Sequence, residues 1–192
     1  MLTNEKTFNI SKFYYAFPIF ILGYKDEKIS YNITTCSSSF SLGDMVVIGM
    51  FKGCNAVKQI SKFKEFTINI PTKEQVFFME KAGFLTKRDK LTLLSVPYEL
   101  SSVIDAPLLE KCPVSMECRV EQIQEFGEYV NFTARIINRW CDETLLDTKG
   151  NFKSAIFSPI EYIGDEKRRV YRYLDDKNSD KLGTFIRSSK YD

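Results

Sequence analysis

Histidine is absent from all 192 residues. That excludes Ser-His-Asp and Cys-His catalysis, in which an imidazole moves the proton, and it removes the commonest ligand of catalytic zinc. Cysteine does not fill the gap. The five thiols, Cys36, Cys54, Cys112, Cys118 and Cys141, form an odd set with no C-x-x-C pair, the pattern of reduced core thiols in a reducing compartment. No G-x-G-x-x-G run opens a dinucleotide-binding unit, so a nicotinamide nucleotide would have to bind transiently. Charge of one sign is not in excess either. A net charge of +2 gives no reason to expect nucleic acid or an anionic membrane as the main partner. The longest apolar run, residues 13–24, stops at Lys25, Asp26, Glu27 and Lys28 and is too short to span a bilayer. Residues 1–12 are polar and mixed, without a signal-peptide layout, so the expected location is cytoplasmic.

What is present suits one folded domain. Hydrophobic residues make up 44% and charged residues 27%, a balance that supports a buried core. No repeat, low-complexity tract or long linker divides the chain. The expected organisation is a domain over residues 1–174 with a polar tail over 175–192.

The hydrophobic pattern is mostly that of strands. Residues 17–24 are aromatic and β-branched, residues 25–28 make a polar turn, and residues 29–35 resume an extended pattern, which predicts a hairpin. Residues 45–51 suit a buried strand. Asn55 is placed to cap a helix whose apolar face is Val57, Ile60 and Phe63. Phe66, Ile68 and Ile70 alternate with Thr67 and Asn69 until Pro71 ends the strand. Thr72 and Gln75 form a capping box for a second helix that Gly83 can close, and a less regular stretch follows over 85–104. Two long strands around a turn at Phe126, Gly127 and Glu128 come next, then a polar break at 147–150 and a further strand over 157–163. Many strands with few helices predict a mainly β fold, a β-barrel with helical additions.

Two segments are suited to a polar ligand. Residues 32–39 leave a strand and are dense in small hydroxyl and amide groups, which can serve a heterocycle or a phosphate; a plain Ser/Thr-rich solvent loop has the same composition. Residues 51–55 lie between a strand end and a helix start. Free backbone N–H groups and the helix dipole suit a phosphate there, Lys52 adds charge, and Gly53 permits close approach; an ordinary strand-to-helix turn also reads this way.

Taken in order, these segments resemble the flavin reductase-like family of FMN-binding split barrels, and its flavoredoxin branch in particular, over about residues 17–173. Asn32, Thr35 and Ser37 match an N-x-x-T-x-S pattern, and Lys52 and Asn55 supply the basic and small polar residues before the first helix. Residues 66–71 match F-x-(V/I)-N-(L/I)-P. Residues 83–90 stand for a glycine followed by S-G-R-D and a lysine. Residues 106–120 match A-P-L-(I/L)-E-x-C-P-x-x-(L/M)-E-C-x-V, and residues 158–164 resemble N-P-L-x-Y-x-G. Three departures stand out: Leu42-Gly43-Asp44-Met45 replaces a D-P-P corner, Lys87 replaces a glycine, and Asn55 replaces a Ser or Thr.

The resemblance implies a split β-barrel homodimer with FMN in a cleft. It implies flavin contacts from Asn32, Thr34, Thr35, Cys36 and Ser37, phosphate or ribityl contacts from Lys52, Cys54 and Asn55, and closure by Thr86, Lys87 and Arg88. NADH or NADPH would be the transient electron donor and a small molecule or protein the acceptor. Two other readings remain open at this point: a non-enzymatic FMN electron carrier, and a split barrel that has lost flavin and serves as an interaction module.

Overall fold

The strand expected over residues 17–24 is two strands with a corner between them. The computed structural model describes residues 6–174, 177–180 and 182–184. In it, β1 (Phe13–Pro18) and β2 (Phe20–Asp26) belong to different sheets. The register of β1 shifts between Tyr15 and Phe17, where Ala16 adopts φ +71°, and Ile19 is fully buried with its N–H on the Ile160 carbonyl at 2.9 Å. That bulge redirects the chain from one sheet into the other.

The expected hairpin follows: β2 pairs antiparallel with β3 (Ser30–Cys36) around the polar turn. Then come β4 (Ser39–Leu42), β5 (Met45–Phe51), helix α1 (Asn55–Phe63) and β6 (Glu65–Ile70). The capping box at Thr72 and Gln75 is present, with the Thr72 N–H donating to Gln75 Oε1 at 2.8 Å, and it opens one 3-10 turn that leads into α2 (Val76–Phe84). Gly83 does not end this helix. A Cβ at that position would lie 3.3 Å from the Thr35 Cβ, so the glycine lets α2 approach β3. The irregular stretch contains α3 (Lys90–Leu93), capped by Asp89, and β7 (Tyr98–Leu100). The remaining strands are β8 (Pro107–Leu109), β9 (Val114–Phe126), β10 (Tyr129–Cys141), β11 (Ile160–Asp165) and β12 (Arg169–Tyr173). The polar tail expected from residue 175 falls largely on residues 175–176, 181 and 185–192, outside those described.

Seven strands form one antiparallel sheet in the order β3-β2-β6-β9-β10-β5-β4. Its two edge strands, β3 and β4, are consecutive in the chain with only Ser37 and Ser38 between them. A sheet whose edges are joined by two residues has to curl on itself, and the Gly49 N–H donates to the Ser38 carbonyl at 2.9 Å where that connection runs into the β4–β5 ladder. The interior holds Phe20, Leu22, Tyr24, Ile48, Ile60, Phe66 and Phe132, each 1% exposed or less. Burying each such side chain contributes about 1.5–3 kcal/mol. The outer face of β2 and β3 is covered in turn: Ile19, Ile21 and Ile33 pack with Met79, Ala82 and Leu91 of α2 and α3. Burial on both faces is why residues 17–24 read as a continuous apolar run rather than an alternation.

The second face of β6 is buried too, under β8. Thr67 donates to the Pro107 carbonyl at 2.5 Å. Asn69, wholly buried, donates to the Ile21 carbonyl and accepts from the Leu109 N–H and the Ser115 hydroxyl, so one amide ties together β2, β6, β8 and β9. Among the described residues, no helix is long and apolar enough to cross a membrane.

Candidate functional site

The turn from β5 into α1 faces the β2–β3 turn across a cleft of about 510 Å³, and residues 86–87 form a third wall. A smaller recess of about 70 Å³ lies against Tyr24, Thr34, Ala56 and Lys90. The two share Asn32, Cys54, Asn55, Thr86 and Lys87 as walls. A separate depression of about 370 Å³ between Gln75, Cys112 and Trp140 carries one lysine, Lys111, against two acids, Glu110 and Asp142.

Of the residues singled out from sequence, Asn32, Thr34, Lys52, Cys54, Asn55, Thr86 and Lys87 line this site. The alternation of β3 sorts the rest. Asn32 and Thr34 face the cleft, while Thr35 points to the other side of the sheet and its hydroxyl donates to the Met79 carbonyl of α2 at 2.5 Å. Cys36 packs against the barrel core with its thiol 3.6 Å from the Gly49 carbonyl. Ser37 is buried in the β3–β4 connection. Arg88 is exposed and lines neither cavity; its carbonyl accepts from Asn32 Nδ2 at 3.0 Å, which fixes the loop and the amide together.

Cys54, not Asn55, is the N-cap of α1. It is extended (ψ 141°), no side chain caps the helix, and the first turn contains no acid. The first N–H groups and the positive end of the dipole are therefore available to an anion. Asn55 is instead the first helical residue and is held from behind. Its amide donates to Asp26 Oδ2 at 2.6 Å and accepts from Gln59 at 3.3 Å. Asp26, 4% exposed, also accepts the Lys28 N–H, so it is committed to shaping the cleft.

Lys90 is the residue whose importance sequence reasoning missed. It closes the run matched to residues 83–90, but nothing local showed that it would be buried. In the fold it is 5% exposed and donates to the Ala82 carbonyl at 2.7 Å, with no carboxylate partner among the described residues. Burial lowers its pKa from 10.5 to about 8, against a smaller upward pull from Cys54. Burial raises the pKa of the Cys54 thiol, with Lys90 opposing, and burial likewise raises that of Tyr24. Lys28 and Lys58 were also missed because solvated lysines carry no local signature. They bring the ammonium groups around the two cavities to five, Lys28, Lys52, Lys58, Lys87 and Lys90, against the single carboxylate of Asp26. Lys52 is ion-paired with Glu125.

This arrangement fits a phosphorylated heterocycle. The volume is within the 300–1,000 Å³ of small-molecule sites. One end presents a helix N-terminus and ammonium groups, and Thr34 and Thr86 supply polar contacts along the walls, while the buried Asn32 amide is bonded to Arg88 and Lys90 and holds the loop.

Comparison with known proteins follows the same line. The family model described as "Flavin reductase like domain" matches residues 13–164. Among solved structures, flavoredoxin of Desulfovibrio vulgaris (Miyazaki F) superposes with a TM-score of 0.83 at 19% identity, covering 94% of this chain and 98% of its own. Flavoredoxin from Methanosarcina acetivorans gives 0.83 at 22% identity, covering 95% and 97%. An FMN-binding protein from Thermus thermophilus, with bound 1-cyclohex-2-enone, gives 0.75 at 18%, covering 94% and 100%. These likenesses establish a common split-barrel fold.

Proposed function

The chain belongs to the flavin reductase-like domain family, and from that premise we propose that it is an FMN-dependent oxidoreductase that takes hydride from NADH or NADPH and passes electrons to a flavin or protein acceptor. The observation that carries this reading is the cationic cleft at the N-terminus of α1, an anion-binding end joined to a pocket large enough for a flavin. The N–H groups at the start of α1, with Lys52 and Lys90, hold the FMN phosphate. Asn55, fixed by Asp26, and Thr34 and Thr86 orient the ribityl chain and the ring. Bound FMN supplies the hydride-accepting and electron-donating chemistry, which is why a chain without histidine suffices. The protein's own residues bind, orient and exclude water.

Homodimerisation is part of the proposal. Phe40 and Leu42 on the edge strand β4 are 57% and 70% exposed, and Phe13 and Tyr15 of β1 add exposed aromatic surface, apolar area that a second copy would cover. Light scattering on the purified protein tests it, with a monomeric mass as the contrary result. A cytoplasmic location belongs to the same reading, supported by five free thiols.

The visible absorption spectrum before and after addition of FMN, followed by stopped-flow mixing with NADH and NADPH, tests the function. Stoichiometric yellow flavin that is bleached on the timescale of turnover is the expected result. Retained flavin with negligible reduction by either nucleotide would make the protein an electron carrier instead. A colourless protein that refuses FMN would overturn the assignment.

A further inference from the structure

One phosphate does not use up the positive charge of the cleft. With Lys90 in the recess and Lys52 beside the helix N-terminus assigned to the FMN phosphate, Lys28 and Lys58 remain on the wall of the larger cleft and Lys87 at its border with the recess. None of the three has a carboxylate within 4.0 Å among the described residues. The nearby acids are engaged elsewhere, Glu27 with Lys62 at 2.7 Å, Glu125 with Lys52, and Asp26 with Asn55 and the Lys28 N–H.

Two of these lysines stand where local physics disfavours them. Lys87 adopts φ +53°, a left-handed conformation that suits glycine and strains a lysine, at the position where the related pattern has glycine. Lys58 lies at the start of α1, where its charge faces the positive end of the helix dipole. Glu27, already paired with Lys62, gives Lys58 and Lys28 only longer-range attraction, and among the described residues no ion pair holds Lys87. A ligand carrying a further negative group compensates both placements.

We infer that Lys28, Lys58 and Lys87 form a second phosphate subsite, next to the flavin phosphate, that recognises a dinucleotide. The inference rests on the FMN reading above. Two sources share this chemistry: the 2′-phosphate of NADPH, which NADH lacks, and the pyrophosphate of FAD, which extends past the position of the FMN phosphate.

Calorimetric titration separates them. FMN-loaded protein is titrated with NADP⁺ and NAD⁺, and flavin-free protein with FAD and FMN, each at low and at physiological salt. The expected result is a preference for NADP⁺ over NAD⁺, or for FAD over FMN, that weakens with salt. The Lys28→Ala/Lys58→Ala double variant and Lys87→Gly should reduce that preference by about two- to fivefold per lysine, and in the Lys28→Ala/Lys58→Ala variant FMN affinity should hold within about twofold. The pair that responds identifies the source. Lys87→Gly relieves backbone strain and is expected to fold, so loss of preference in that variant cannot be ascribed to unfolding. Binding of FMN with neither preference, or with a preference unchanged in all variants, overturns the subsite and leaves the flavin reading standing. A protein that takes neither FMN nor FAD overturns both.

Discussion

Replacing Lys90 by methionine should make the flavin-free protein more stable and the flavin complex weaker. The ammonium group is 5% exposed, has one carbonyl partner and faces a recess of about 70 Å³. Its pKa falls from 10.5 to about 8 because burial disfavours the charge. That difference corresponds to ~3 kcal/mol of destabilisation at neutral pH. Loss of the bond to Ala82 offsets about 1 kcal/mol, so Lys90→Met should gain about 2 kcal/mol at pH 7.

The sign with pH is definite. Between pH 8 and 10.5 the unfolded chain keeps the lysine proton that the folded protein releases, so the penalty is complete below pH 8 and disappears as pH rises to 10.5. Buried Cys112 and Cys118, with pKa values pushed up to about 12, act in the opposite sense above pH 9 in both proteins. The difference between wild type and variant therefore isolates Lys90. Urea unfolding of flavin-free protein at pH 7 and pH 10, followed by circular dichroism, should show a gap that closes as pH rises. In the same variant FMN should bind about 10- to 100-fold more weakly, the loss of one charge-assisted contact. A variant less stable than wild type at pH 7, or a gap independent of pH, would refute the burial argument. Unchanged FMN affinity would remove Lys90 from the phosphate.

Three further perturbations test the frame around the site. Asn69→Ala leaves the Leu109 N–H, the Ser115 hydroxyl and the Ile21 carbonyl short of a buried partner and should cost about 3–5 kcal/mol in urea unfolding; a loss under about 1 kcal/mol would contradict the network. Gly23→Ala places a Cβ 2.4 Å from the Pro107 carbonyl oxygen and 2.5 Å from Thr67 Oγ1, a clash with backbone that should cost about 3 kcal/mol or more; soluble protein with wild-type melting would show that β8 moves freely. Cys54 lines the cleft while Cys118 is fully buried, so iodoacetamide should label Cys54 and spare Cys118 in the native protein, and FMN should slow the labelling. Peptide mass mapping reads this, and equal labelling with and without FMN would move the flavin away from Cys54.

Strand periodicity, the hairpin at residues 25–28 and the capping box at Thr72 and Gln75 were legible because each is set by residues within a few positions of one another. The class of fold follows from their number. The strand-to-helix turn from Lys52 to Asn55 was also legible locally, since a strand end running into a helix start exposes N–H groups whatever surrounds it. Locality is also where errors arose. Asn55 looked like a cap, yet Asp26, remote in sequence, draws its amide away and leaves Cys54 at the N-cap. Gly83 looked like a helix end, yet the reason for a glycine there is Thr35 of β3. Thr35 itself matched the ligand pattern, and only the pleat of a paired strand sends it to the opposite face.

By itself, then, the amino-acid sequence determined that this is a mainly β chain without imidazole chemistry, with a strand end running into a helix start at Lys52 to Asn55. The tertiary structure alone decided that β3 and β4, two residues apart, close one sheet into a barrel. It also decided that Lys90 is buried, that Asn69 joins four strands, and that five lysines scattered over residues 28–90 converge on one cleft. The physical reason is that hydrogen-bond propensity and periodicity act over a few residues, whereas desolvation and charge depend on every segment packed nearby.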